Sequence, residues 1–203
     1  HAFELKALIQ KAYINHSNLA DATRFLVHAL FGSDGLLVID GNDCALKRLF
    51  IPHVNSELTN QQSFKCVNET NKLLKSIDSA YKIQVNSREL NLFYLKGDLR
   101  ERIVKKEDSF SVLNTNIVWD LAGVLEELNS HPERFSPNVI MRPLYQETIL
   151  PNLCYIGGGG ELAYWLQLKS FFESERIQFP ILLHRSSALL ISEKQRQKLN
   201  KLK

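Results

Sequence analysis

Residues 142–165 read RPLYQETILPNLCYIGGGGELAYW and include the glycine run Gly157 to Gly160. An apolar stretch, Leu153 to Ile156, precedes the run, and the apolar residues after Glu161 recur at helical spacing to about Phe172. This order predicts a strand, a glycine turn and a helix. Such a turn brings unpaired backbone N–H groups to the start of a helix, where a phosphate or a carboxylate is stabilised.

The glycine run also has a simpler interpretation. Glycine allows a chain to turn sharply with positive φ, whether or not a ligand binds nearby. The string GGGGE matches neither the GxGxxG pattern nor the GxxxxGK[ST] pattern of nucleotide-binding loops. The spacing alone therefore leaves both an anion site and a plain turn open.

A longer block around the glycines resembles a known enzyme family. Residues 135–172, FSPNVIMRPLYQETILPNLCYIGGGGELAYWLQLKSFF, are similar to the SPNVLLRPLYQ…LP…YVGGPGE.AYW.QL block of the bacillithiol-biosynthesis cysteine-adding enzymes, the BshC family. Residues 30–50, LFGSDGLLVIDGNDCALKRLF, and 82–95, KIQVNSRELNLFYL, agree with the same family. Gly159 stands where the family usually has proline, which loosens the loop but keeps its backbone within reach of a ligand.

The resemblance implies a function. Enzymes of this family add cysteine to the amine of glucosaminyl malate in the last step of bacillithiol synthesis. Amide formation from a free carboxylate requires activation, and the resemblance makes an acyl-adenylate formed from ATP the simplest route. A different class remains open, in which the chain is a non-catalytic module that binds an anionic metabolite or a phosphate.

The resemblance also implies that the chain is a fragment. Family members are considerably longer, carry an HxGH-like motif before the matched region and end in a coiled coil, through which we expect a homodimer. The present sequence begins with His1 rather than Met and contains no HxGH-like string. We therefore expect it to be catalytically incomplete by itself, with a binding half-site intact and its catalytic residues unidentified.

Composition excludes several classes of function. A net charge of +3 is too small to indicate a nucleic-acid-binding protein. No apolar run approaches the roughly 20 residues that span a bilayer. The three cysteines, Cys44, Cys66 and Cys154, are far apart, so the sequence predicts neither a disulfide framework nor a metal site, and a reducing cytoplasm fits best.

The predicted fold is α/β: the later half of a Rossmann-like, mostly parallel sheet flanked by helices, with a small antiparallel insertion. Apolar runs predict its strands near residues 36–40, 138–141, 153–156 and 180–183. We divide the chain into a first part of the core (residues 1–81), the antiparallel insertion (82–113), the core with the glycine loop (114–191) and the start of a C-terminal helix (192–203).

The candidate binding residues lie at the ends of predicted strands or shortly after them. They are Asp40, Asn138, Arg142, Gln146, Gly157, Gly158, Gly159, Gly160, Glu161, Arg185 and Ser186. Because the carboxyl ends of neighbouring parallel strands meet at one edge of a sheet, we expect these residues to converge there.

Individual residue types in this set suit an anion. The Arg142 guanidinium can hold a carboxylate or a phosphate in a bidentate way, although an ion pair within the protein explains it equally well. Arg185 and Ser186 form a basic and hydroxyl pair suited to a phosphate. Glu161, in the first turn of a helix, is favoured by the helix dipole, or it binds a ligand hydroxyl.

Overall fold

The computed structural model of the protein describes residues 2–201. Within that range the α-helices are α1 (Ala2–Ile14), α2 (Leu19–Phe31), α3 (Cys44–Leu49), α4 (Ile51–Asn60), α5 (Gln62–Ile77), α6 (Leu121–Ser130), α7 (Arg142–Ile149), α8 (Gly159–Leu166), α9 (Lys169–Ser174) and α10 (Glu193–Asn200). The strands are β1 (Leu92–Lys96), β2 (Leu99–Lys106), β3 (Ser109–Val112), β4 (Val118–Trp119), β5 (Phe135–Pro137), β6 (Cys154–Gly157) and β7 (Ile181–His184).

Polar caps set the start of several helices, as the sequence indicates. The Asn18 side chain accepts a hydrogen bond from the backbone N–H of Asp21 at the start of α2. Asp43 accepts from two N–H groups at the start of α3, and Ser192 accepts from Gln195 N at the start of α10. The sequence predicts a cap at Ser17 or Asn18 for α2, at Asp43 for α3 and at Ser192 for α10. These predictions are confirmed, with Asn18 as the cap of α2, because a cap depends only on residues two or three positions away.

Two helix predictions are wrong in detail. The apolar spacing predicts one long helix from Leu58 to about Ala80, whereas the structure has two, α4 and α5, separated at Gln61, whose φ is 52°. The sequence also predicts a helix that starts at Thr115 or Asn116, whereas α6 begins at Leu121, because Val118 and Trp119 pair with β3 as strand β4.

The larger sheet is antiparallel throughout, with the strand order β4-β3-β2-β1-β5. Its first three strands confirm the predicted antiparallel unit, with Phe93 opposite Arg102 and Ile103 opposite Val112. The sheet is larger than the predicted insertion, because it also includes β4 and β5, which lie outside residues 82–113. It lies against helices α4 to α7 and α9 around one hydrophobic core, whose largest fully buried side chains include Tyr94 and Phe135.

The parallel sheet is small. Strands β6 and β7 pair in parallel, with Cys154 opposite Ile181 and Gly157 opposite His184. The predicted strands at 153–156 and 180–183 are thereby confirmed, and so is the α/β class. The prediction of a mostly parallel sheet is wrong, because this pair forms the only parallel ladder in the described part of the chain.

Two predicted strands are absent from the described residues. Residues 36–40 are irregular, and the side chains of Leu36 and Leu37 are exposed, since no strand lies beside them to cover the apolar run. Residues 138–141 form a turn, because the Asn138 side chain accepts hydrogen bonds from the N–H groups of Ile140 and Met141. Met141 and Ile140 are buried, so the apolar run reflects burial and not a strand.

Candidate functional site

The glycine loop joins β6 to α8 in the order that the sequence predicts. Gly157 ends the strand, Gly158 caps the helix with extended backbone, and the helix begins at Gly159. The Glu161 carboxylate accepts a hydrogen bond from Gly158 N at 2.7 Å. Within the described chain the N–H groups of Gly159 and Gly160 have no acceptor, as expected for a first helical turn.

Arg185 lies across this loop. Its backbone N–H donates to the Gly157 carbonyl at 2.9 Å, which extends the parallel pairing by one residue. A Cβ built on Gly158 would be 3.1 Å from Nη2 of Arg185, so the guanidinium packs directly on the glycine. Arg185 Nη1 is also 3.9 Å from the Glu161 carboxylate, in a well-exposed pair. The loop therefore presents two free N–H groups beside a guanidinium.

Close packing, and not positive φ, explains the first glycine. The glycines with positive φ among the described residues are Gly35 and Gly97, outside the run. A Cβ on Gly157 would be 2.8 Å from the ring of Tyr155, which stacks on Trp165 with a centroid separation of 4.2 Å. The interpretation of the run as a positive-φ turn is wrong.

The remaining candidates lie in other places. Asp40 accepts a hydrogen bond from Asn42 N. Burial lowers the pKa of the nearby Lys47, and the negative charges of Glu133 and Asp40 oppose that shift. Tyr145 on α7 donates to the Gly41 carbonyl and so holds this segment against α7. Within the described residues no hydrogen bond or ion pair joins Asp40 to the glycine loop.

Asn138 and Gln146 have structural partners. The Asn138 amide donates to Asn91 Oδ1 at 2.9 Å while its own oxygen holds the turn before α7. Gln146 donates to the buried Glu147, whose carboxylate also accepts from the backbone and side chain of Asn152. Both polar side chains are therefore engaged by the protein.

Arg142 is the first residue of α7 and is exposed. Its guanidinium makes no ion pair or hydrogen bond within residues 2–201, so the alternative of an internal ion pair is wrong. Burial raises the pKa of Tyr164 on α8, and the nearby positive charge of Arg142 opposes that rise. The Tyr164 hydroxyl donates a hydrogen bond to the Val139 carbonyl. This contact connects the turn before α7 to the helix that follows the glycine loop.

The expectation that all these residues follow parallel strands and therefore converge at one sheet edge is wrong. Asp40 and Arg142 do not follow strands, whereas the glycine loop, Glu161 and Arg185 meet at the end of the parallel pair. Ser186 is exposed in the irregular segment after β7. Binding of a ligand by these residues stays a prediction.

Sequence reasoning missed Lys47 and Glu57, two buried residues whose pKa is shifted by burial. Lys47 is 4% exposed and donates to the Phe135 carbonyl at 2.6 Å, and burial lowers its pKa to about 8. Glu57 is fully buried, and burial raises its pKa against the opposing effect of hydrogen bonds from Ser63 and Asn91. Both lie on helices whose sequences look ordinary, and no local signal distinguishes them.

Comparison with known proteins identifies the relatives. A family model described as "Bacillithiol biosynthesis BshC, N-terminal Rossmann-like domain" matches residues 1–186. The chain belongs to the BshC family. This membership confirms both the resemblance and the Rossmann-like class of the fold, which here combines a parallel pair with a larger antiparallel sheet.

Curated relatives from this family carry the name "Putative cysteine ligase BshC". The protein of Flavobacterium johnsoniae is 56% identical over 202 residues, and that of Cytophaga hutchinsonii is 43% identical over 198 residues. These matches cover 100% and 98% of the chain but 37% and 38% of the two relatives. The Bacillus pumilus protein is 34% identical over 81% of the chain and 31% of its own length. The chain thus spans little more than a third of the relatives that it matches.

Among residues 2–201, none of the helices combines the length and the apolar character that a bilayer span requires. No group of three or more histidine, cysteine, aspartate or glutamate side chains there could hold a metal ion. The expected cytoplasmic location and the homodimer stay predictions.

Proposed function

We propose that this chain is part of a ligase that adds cysteine to the amine of glucosaminyl malate, the last step of bacillithiol synthesis. The carboxylate of cysteine must be activated before the amine can attack it. A nucleoside triphosphate, when bound, supplies that activation. The amine nitrogen then forms a bond to the carbonyl carbon, and the activating group leaves with the carboxylate oxygen.

The observation that carries this proposal is the glycine loop with its guanidinium. The free N–H groups of Gly159 and Gly160 begin a helix, and the Arg185 guanidinium packs on the neighbouring Gly158. Both features stabilise a phosphate oxygen, so the residues fit the phosphates of ATP. Membership of a family whose relatives are named as cysteine ligases supports the reaction class.

Glu161 has a defined part in this arrangement. Its carboxylate is held by the Gly158 N–H and lies 3.9 Å from Arg185, so its charge is partly balanced inside the loop. A bound phosphate would meet Gly159, Gly160 and the outer edge of Arg185. Glu161 would keep its hydrogen bond from the Gly158 N–H, which fixes the loop.

Deletion of the gene that encodes this chain tests the reaction. Bacillithiol should disappear and glucosaminyl malate should accumulate, as measured by mass spectrometry of cell extracts. A non-catalytic binding module predicts the opposite result, an unchanged bacillithiol level.

Calorimetry with ATP tests the loop separately. Arg185→Gln should weaken ATP binding about tenfold, because one charge-assisted hydrogen bond is lost. Gly158→Val should abolish it by filling the space under the guanidinium. Arg48→Gln, an exposed arginine on α3, serves as the charge-matched control. Equal ATP binding by all three variants and the parent would exclude the loop as the nucleotide site.

A further inference from the structure

A second basic feature lies beside the glycine helix, and of its lining residues only Asn138 and Arg142 are among the candidates from sequence. It is a groove of about 460 Å³ on the outer face of the antiparallel sheet. Four arginines line it: Arg88, Arg100, Arg102 and Arg142. We call it the arginine groove.

The strand register explains why two of these arginines share one face. Side chains alternate along a strand, so Arg100 and Arg102 of β2 point to the same side of the sheet. Arg102 lies opposite Phe93 of β1, and Arg100 stacks on the Phe93 ring with its guanidinium carbon 4.2 Å from the centroid. Stacking fixes the guanidinium plane and leaves its N–H edge free.

The other two arginines come from the rims. Arg88 precedes β1, and Arg142 begins α7 across the groove. Two hydrogen bonds hold the rims in place: the Asn138 side-chain amide donates to Asn91 Oδ1 at 2.9 Å, and the Asn138 backbone N–H donates to the Asn91 carbonyl at 3.0 Å. The four arginines therefore come from three separate segments of the chain, and the Asn138–Asn91 contact fixes the positions of the rims.

No acidic side chain neutralises this cluster. Within residues 2–201 no carboxylate lines the groove, and none of the four guanidinium groups makes an ion pair or donates a hydrogen bond. Glu101, between the two β2 arginines, faces the other side of the sheet and accepts from Asn114. By contrast, Arg134 outside the groove is paired with Glu127 at 2.6 Å.

We propose that the arginine groove is a binding site for a compact multivalent anion, either a small dicarboxylate or a phosphate. Guanidinium groups hold both in a bidentate way, and four uncompensated positive charges around one groove repel each other unless an anion lies between them. The volume suits a small molecule and not a strand of nucleic acid. The proposal does not depend on the ligase reaction, since the glycine loop contributes no residue to the groove.

Calorimetry with malate and with inorganic phosphate, at constant ionic strength, tests the site and distinguishes the two sources. Arg102→Gln and Arg142→Gln should each weaken binding about 10- to 100-fold, corresponding to the loss of one charge-assisted hydrogen bond. Arg48→Gln, an exposed arginine outside the groove, should leave the affinity within about twofold. Acetate should bind far more weakly than malate.

Protection of the unmodified protein gives a second measurement that needs no variant. Malate or phosphate should slow the reaction of phenylglyoxal with Arg88, Arg100, Arg102 and Arg142, as read by mass spectrometry, and should leave Arg48 unaffected. Equal modification with and without the anions would overturn the proposal. So would unchanged affinity in both groove variants, or an oligonucleotide that binds more tightly than either anion.

Discussion

Replacement of Glu57 should destabilise the protein strongly. This side chain is fully buried on α4, and its carboxylate accepts four hydrogen bonds: from Ser63 N at 2.9 Å, Ser63 Oγ at 2.7 Å, Asn91 N at 2.9 Å and Asn91 Nδ2 at 3.3 Å. Because Ser63 lies in the first turn of α5 and Asn91 precedes β1, the carboxylate joins the helical layer to the sheet.

The structure sets a different magnitude for each substitution. Glu57→Ala leaves two buried backbone N–H groups without an acceptor and opens a cavity, so we expect a loss of about 3–5 kcal/mol in the free energy of unfolding. In Glu57→Gln the amide oxygen can replace Oε1, which accepts from Asn91, but the NH₂ group faces Ser63 N–H. We expect a smaller loss of about 1–2 kcal/mol.

The pH dependence of the same variants has a defined sign. Burial raises the pKa of Glu57 in the folded protein above its ordinary 4.5. The folded state therefore binds more protons than the unfolded state in that window, and stability falls as the pH rises from 4.5 through the folded pKa. Glu57→Gln cannot titrate, so the advantage of the parent over this variant should shrink from pH 4.5 to pH 7.

Urea denaturation followed by tryptophan fluorescence measures these differences, with the buried Trp165 as a reporter. Glu69→Gln, an exposed glutamate on α5, is the matched control and should change stability by less than about 0.5 kcal/mol. If Glu57→Ala is no more damaging than this control, the carboxylate does not join the two layers and the reasoning is refuted.

Three other tests concern the packing. Burial lowers the pKa of Lys47 from 10.5 to about 8, so between these pH values the unfolded state binds more protons and this residue's contribution to stability rises with pH. Lys47→Met removes that contribution, so from pH 7 to pH 10.5 the free energy of unfolding of the parent should rise by about 3 kcal/mol relative to that of the variant. Gly157→Ala should lower stability by about 1–3 kcal/mol through overlap with Tyr155, whereas Gly160→Ala, with its nearest neighbour at 3.8 Å, should not, as thermal melts can show. Tyr94→Phe removes the hydroxyl that donates to Glu127 and should cost about 1 kcal/mol in urea denaturation, with an unchanged result arguing that the bond is not formed.

The sequence by itself determined the local structure of this protein. The caps of α2, α3 and α10, the antiparallel hairpins, and the strand, glycine turn and helix around Gly157 depend on residues a few positions apart. Helix caps and turn types depend mainly on the residues within such short segments. The family was also recognisable, because the block around the glycines is long and unusual in composition.

Tertiary structure decided which segments pair and which polar groups meet. The apolar residues 36–39 and 138–141 resemble strands, but a strand requires a neighbour, and neither run has one. The Glu57 carboxylate accepts a hydrogen bond from Asn91, 34 positions away, and the four arginines of the groove lie between positions 88 and 142 of the chain. No local pattern encodes such distances, because chain topology determines long-range contacts and the burial of the core then fixes them.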